Sequence, residues 1–156
     1  MSPADSVPVS PRLPLALLTL RLAIGAFLVV WASLKFLRPE WMVNVFRGTY
    51  GIAEAEPFWA YFVGTAQMAL AVLFVLGLAR VLVYPLATLV HATGVVGAGL
   101  SGALWDVTTY PNNLLWTSVA TLGGLVALTL LWREDRISLE AWLDGLRRDP
   151  RPGRLT

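Results

Sequence analysis

The sequence predicts an all-α membrane protein, a four-transmembrane-helix bundle with a C-terminal amphipathic interfacial helix. Three observations carry that prediction. Hydrophobic residues make up 56% of the 156 residues and charged residues only 14%, whereas soluble domains hold about 25% charged residues. Mean hydropathy is +0.64. Four segments also reach the roughly 20 apolar residues that a hydrocarbon core of about 30 Å needs at about 1.5 Å per residue. One domain, residues 1–156, accommodates them all.

The N-terminal tail, residues 1–14, holds four prolines and a single basic residue, Arg12. The apolar run that follows is longer than a signal-peptide core and lacks a small-residue cleavage site, so it reads as a retained span over about 15–37. Pro11 and Pro14 suit its start, and Pro39 cannot continue it. The block from Phe58 to Leu104 is too long for one span, and Arg80 in "LGLARVLVYP" is its only charged residue. It therefore folds as a hairpin, with spans of about 58–79 and 81–104 and a turn at Gly77 and Arg80. The breaker-rich "TTYPNN" introduces a fourth span over about 114–132. Residues 133–156 form a cytoplasmic tail. Within it, Leu139, Trp142, Leu143 and Leu146 recur at helical spacing and predict a helix lying on the inner leaflet, ended by Asp149 and Pro150. The closing "DPRPGRLT" reads as disordered.

This topology puts eight arginines on the side of the termini and the Arg80 turn, against Lys35, Arg38 and Arg47 opposite. Basic residues accumulate on the cytoplasmic side, so both termini are expected there, in a multi-pass protein of the plasma membrane. Trp31, Trp41, Trp59, Trp105, Trp116 and Trp132 fall near the span ends, as interfacial aromatics do. The basic tail explains a pI near 9.4 without any nucleic-acid partner. With no cysteine in the chain, disulfide scaffolds, thiol relays, iron–sulfur clusters and cysteine zinc sites are excluded, and no metal site is expected. No covalently bound cofactor is expected either.

Charges inside a bilayer cost about 2.5 to 3.5 kcal/mol each on insertion scales, so each requires a partner or a wet cavity. Measured from the cytoplasmic ends of the spans, Arg21 lies roughly 9 Å deep, His91 roughly 15 Å, Thr121 roughly 16 Å and Gln67 roughly 18 Å. Four helices thus bring polar groups to neighbouring layers. Facing inward, they would form one ligand-binding pocket, with Arg21 as a fixed cation, His91 as proton donor or acceptor, and Gln67 and Thr121 as neutral hydrogen-bonding groups. Such a pocket suits a quinone or another small carbonyl or anionic ligand. The competing reading has Arg21 snorkelling to the interface and the other three joining helices by hydrogen bonds.

Lys35 shares a helix face with Arg21 but lies about 21 Å further along it, too far for one site. Glu40, Glu54, Glu56 or Asp106 could neutralise it at the outer end. The functional alternative is an outer-face site of Lys35, Trp105, Asp106, Tyr110 and Asn113. In the third span Gly94, Ala98 and Gly102 repeat every four residues, a spacing that lets helices approach within the bundle or against a partner subunit, a second copy in a homo-oligomer included. Ligand clearance is the alternative role.

The ordered series "LRLAIGAFLVVWASLKFLRPE", "PFWAYFVGTAQMALAVLFVLGLARVLVYP" and "NNLLWTSVATLGGLVALTLLW", closed by "DRISLEAWL", resembles the DoxX/DoxD-like integral membrane proteins from about Leu20 to Leu143. Arg21, Gly25, Lys35, Pro39, Gly64, Gly77 and Arg80 match positions that recur in that family. The resemblance implies a four-helix membrane bundle and a relation to the small subunit of thiosulfate:quinone oxidoreductase. Gln67 departs from the pattern, since many relatives carry glutamate there, and that removes a proton-carrying carboxylate.

The sequence therefore leads first to the membrane subunit of a quinone-linked oxidoreductase, with a quinone in the bundle and the redox centre on a partner subunit. The alternative is a non-enzymatic scaffold or assembly factor that gathers partners through the third span, the loop from Arg38 to Pro57 and the tail. A transporter gains little support, because Pro85 lies near a turn and no central span is broken.

Overall fold

A computed structural model describes residues 10–110 and 112–148. The start of the N-terminal tail and the expected disordered end from Asp149 lie outside the described residues, as do Asp149 and Pro150, the expected helix stop. Six α-helices follow in order: α1 (Leu13–Leu37), α2 (Pro39–Tyr50), α3 (Pro57–Leu76), α4 (Arg80–Leu100), α5 (Leu115–Leu130) and α6 (Leu139–Arg148), with a 3-10 turn at Asn112–Leu114 leading into α5. No strand occurs among the described residues. The four helices α1, α3, α4 and α5, the last with its leading turn, are long and apolar enough to cross a membrane. Their outer faces carry Leu100, Leu130 and Leu82 at 85%, 75% and 70% exposure. Exposed leucines on four helices of membrane-spanning length and hydropathy fit lipid-facing surfaces, so the chain is a multi-pass membrane protein.

Span boundaries follow the expected breakers with small shifts. Pro14 sits in the first turn of α1, where its missing N–H is not needed. Pro39 opens α2 rather than a loop, and Arg38 N–H closes α1 on the Leu34 carbonyl at 2.8 Å. The expected outer loop thus contains a 12-residue helix, too short to span. It buries Met42 and Val43 against the bundle and leaves Glu40, Asn44 and Arg47 exposed. The third span ends at Leu100, four residues before the expected limit, because Ser101 and Gly102 turn the chain, Gly102 with φ +81°. Arg80 is the first residue of α4 rather than part of the turn.

Helix α1 packs most extensively along α3, and α4 along α5, with fewer contacts between these two pairs. In lipid no hydrophobic force draws helices together, so close packing and polar contacts must do so. Gly64 supplies one such approach: a Cβ there would stand 2.9 Å from Lys35 Cβ on α1. Near the N-terminal end of α1, Leu17, Ile24, Phe74, Tyr84, Leu125 and Leu128 from all four spanning helices form one buried cluster. Of the expected glycine stripe on the third span, Gly94 meets open space and Gly102 lies beyond the helix. The stripe therefore does not form one packing face.

The α3–α4 hairpin depends on Gly77. Its φ of +64° ends α3, with Leu78 N–H bonding Leu73 O at 3.1 Å and Gly77 N–H bonding Phe74 O at 3.0 Å, the paired bonds of a Schellman cap. A Cβ at this position would also meet Arg21 Nη1 and Ser138 Cβ, each at 2.7 Å. Gly77→Ala is expected to lower unfolding stability by about 1 to 3 kcal/mol, from left-handed strain plus displacement of Arg21. Gly123→Ala, with nothing within 4 Å of the added carbon, should be neutral or stabilising. Thermal unfolding of both variants in detergent compares them.

Candidate functional site

Two polar assemblies occupy opposite ends of the bundle. At the end formed by the start of α1, the α3–α4 hairpin and the segment after α5, Arg21 is 3% exposed and Asp135 0%. Arg21 Nη1 lies 2.5 Å from Asp135 Oδ2, and Nη2 donates to the Ile137 carbonyl at 2.6 Å. The Tyr84 hydroxyl donates to the same Asp135 oxygen. Arg80 Nε donates to Glu140 Oε2 at 2.8 Å and its Nη1 donates to the carbonyls of Trp132, at 3.2 Å, and Asp135. The Arg80 backbone N–H also bonds Glu140 Oε2 at 3.2 Å, so a carboxylate from α6 caps the first turn of α4, where the helix dipole favours negative charge. Two arginines on α1 and α4 thereby bind the segment 132–140 across the bundle end and fix the start of α6.

Arg21 is consequently not in a pocket with Gln67, His91 and Thr121. It does not snorkel: it is buried, and its Nη groups are turned to Asp135 and the Ile137 carbonyl. Thr121 is also elsewhere: its hydroxyl donates to Thr117 O at 2.9 Å on its own helix.

Gln67 and His91 line a cavity of about 700 Å³ that runs from the middle of the bundle toward the opposite end. All four spanning helices contribute to its wall, and α2 covers it through Trp41, Met42, Val45, Thr49 and Tyr50. The wall is mainly apolar, with Phe27, Trp31, Leu70 and Leu115 among its residues, and none of the lining residues is acidic. His91, on α4, has Nε2 2.9 Å from the Ser118 carbonyl of α5 and its ring edge-on to Phe27. A carbonyl oxygen only accepts, so Nε2 carries the hydrogen, leaving Nδ1 of the neutral ring as an acceptor. Trp31 stacks on Phe27 in the cavity wall.

Lys35 belongs to this cavity, not to an outer-face site. It is 1% exposed, lines the wall, and donates from Nζ to the Trp31 carbonyl at 3.1 Å with the Trp31 ring centroid 5.7 Å away. None of the ion pairs among the described residues involves it, so the expected neutralisation by Glu40, Glu54, Glu56 or Asp106 is absent there. Trp105, Asp106, Tyr110 and Asn113 sit exposed on the α4–α5 loop. Asp106 there accepts from Thr108 Oγ1 at 3.2 Å and Asn112 Nδ2 at 3.4 Å. Hydrogen bonds, first from the Thr109 side chain, hold its carboxyl below the usual range. Asn112, not Asn113, reaches the cavity wall. The α2 cover is tied down by the Tyr50 hydroxyl, which donates to Thr93 O at 3.3 Å, and burial pushes that phenol's pKa up. Among the described residues no three His, Asp or Glu side chains gather as a metal site.

Sequence reasoning missed Asp135, Tyr84 and the cover. For Asp135 a signal existed: it follows the fourth span on the side where Arg21 enters the first. Compared with family models, curated proteins and solved structures, the chain matches none.

Removing one partner of a buried pair strands the other charge at a cost of about 3 to 5 kcal/mol, whereas removing both does not. Arg21→Met and Asp135→Leu should each lower the detergent melting temperature sharply, and the double variant should recover most of the loss. Equal losses in single and double variants would show that the pair is not the source of the stability.

Proposed function

We propose that the chain is the quinone-binding membrane subunit of a quinone-linked oxidoreductase, as its resemblance to DoxX/DoxD-like proteins implies. The observation that carries the reading is the acid-free cavity with Gln67 and His91 near the middle of the bundle. A quinone needs an apolar groove for its tail and donors for its ring carbonyls, and a quinol needs an acceptor for its hydroxyl. The Gln67 amide can donate to a carbonyl oxygen, and His91 Nδ1 can accept from a hydroxyl. The chain has no cysteine to ligate an iron–sulfur cluster, and in this reading the electron-transferring centre belongs to a partner subunit. The arginine-rich end of the bundle faces the cytoplasm in this reading. There α6, with Trp142 and Leu146 exposed, lies against the inner leaflet or the partner.

His91→Ala and Gln67→Ala should each weaken binding of a long-tailed quinone to the purified protein by about five- to tenfold, the loss of one hydrogen bond in an apolar site. Thr121→Ala, outside the cavity wall, should bind as the unaltered protein does. Equilibrium titration measures all three, and unchanged affinity in both His91→Ala and Gln67→Ala overturns the assignment.

A further inference from the structure

We propose that the cavity selects an amphiphile with an ionised acidic head, seated on the Lys35 ammonium with its chain along the apolar wall. The inference rests on reading the cavity as a ligand site and deepens that reading by assigning the charge of the ligand.

Lys35 lies only two residues from the end of α1, where a lysine ordinarily extends its amine outward to water. Here the side chain folds back along its own helix to the Trp31 carbonyl at 3.1 Å. An ammonium has three N–H donors, and that carbonyl is the one acceptor Lys35 has among the described residues. Burying an ammonium without a counter-charge costs several kcal/mol, and one carbonyl and one ring face 5.7 Å away offset only part of it. The carboxylates nearest in sequence do not help: Glu40, Glu54, Glu56 and Asp106 are all exposed, and none pairs with Lys35.

The C-terminal end of α1 offsets the charge only in part, and the wall supplies no carboxylate. Arg38 is the other charged residue in the wall. Lys35 is also sterically fitted, since the absence of a side chain at Gly64 leaves room for its stem. An anionic oxygen entering from the cavity would satisfy the remaining donors and supply the missing charge, as a charge-assisted hydrogen bond. The 700 Å³ volume exceeds what a small inorganic anion fills, and the apolar residues Phe27, Leu70 and Leu115 suit a hydrocarbon chain. Two sources share this chemistry: a quinone with an ionised ring hydroxyl, and a fatty-acid carboxylate.

Four probes separate them in equilibrium titrations with the full-length protein in detergent at neutral pH. One pair is an alkyl hydroxynaphthoquinone and the same alkyl naphthoquinone without the hydroxyl; the other is palmitate and hexadecanol. In at least one pair the anionic member should bind about tenfold or more tightly than its neutral partner, the size of one charge-assisted hydrogen bond. Lys35→Met should reduce that ratio to near unity, and Lys35→Arg should retain it. Preference in the quinone pair alone identifies an acidic quinone, and in the palmitate pair alone a fatty acid. Equal binding within both pairs overturns the inference while leaving the site intact, and binding of none overturns both. A preference that survives Lys35→Met also overturns it. Should Lys35→Met fail to fold, the ratios in the unaltered protein and in Lys35→Arg still decide.

Discussion

The buried pair between Arg21 and Asp135 is the constraint on which the rest of the bundle depends. Helices in lipid have no hydrophobic reason to prefer one another over acyl chains. The helices therefore need polar joints, and here the joint is built at one end. Arg21 reaches from α1, Arg80 and Tyr84 from α4, and Asp135 and Glu140 from the segment behind α5, so three parts of the chain are cross-linked by charge. Asp135 Oδ1 and Arg21 Nε have no partner among the described residues, which makes the joint less than fully satisfied. Its value lies in specificity more than in net energy: misplacing any of these segments would strand a full charge in an apolar interior.

That joint frees the other end of the bundle from having to pack tightly. The pairs α1–α3 and α4–α5 are each close along their length, but between them the contacts are sparser. The apolar cluster of Ile24, Phe74, Tyr84 and Leu125 holds them together near Arg21. Beyond it the pairs are separated by the cavity, and α2 spans the gap with Met42 among its lining residues. Among the described residues one hydrogen bond, from Tyr50 to Thr93, joins the end of this cover to α4. A rigid clasp at one end and a covered space at the other divide stability from binding, as is common where a site must stay unfilled by the protein's own side chains.

The four spans were legible because their signals are local. Apolar length, Pro39 and Gly77 set the boundaries within a few residues, and the amphipathic spacing of Leu139, Trp142, Leu143 and Leu146 located α6. The shared face of Arg21 and Lys35, two heptads apart, was also legible, and both side chains are buried. Depth arithmetic grouped Gln67 with His91, and both line the same cavity. It misassigned Arg21 because depth says nothing about chain segments that fold back: Asp135 lies 114 residues away, and only the tertiary path brings it under α1. The cover α2 was missed for a different reason. Its twelve residues carry mixed polarity, which reads as a loop to any test tuned to membrane-length apolar runs.

The polar residues of the spans divide by what the fold consumes. Arg21, Arg80 and Tyr84 are committed to the clasp, and Thr88 shares a hydrogen bond with Thr129 at 2.9 Å across the α4–α5 pair. His91 spends one nitrogen on Ser118 and keeps the other. Lys35 spends one donor on its own helix. Polar capacity left over inside an apolar bundle is costly; part of it stays in the clasp, at Arg21 Nε and Asp135 Oδ1, and part, on His91 and Lys35, lies in the wall of a cavity able to hold a ligand. The burial of Lys35 follows the same logic: its helix face points inward, its neighbour Gly64 makes room, and no carboxylate of the described chain comes to meet it. An acidic group arriving with a ligand would offset that cost, so the burial of Lys35 would become a contribution to binding and, through binding, to the stability of the fold.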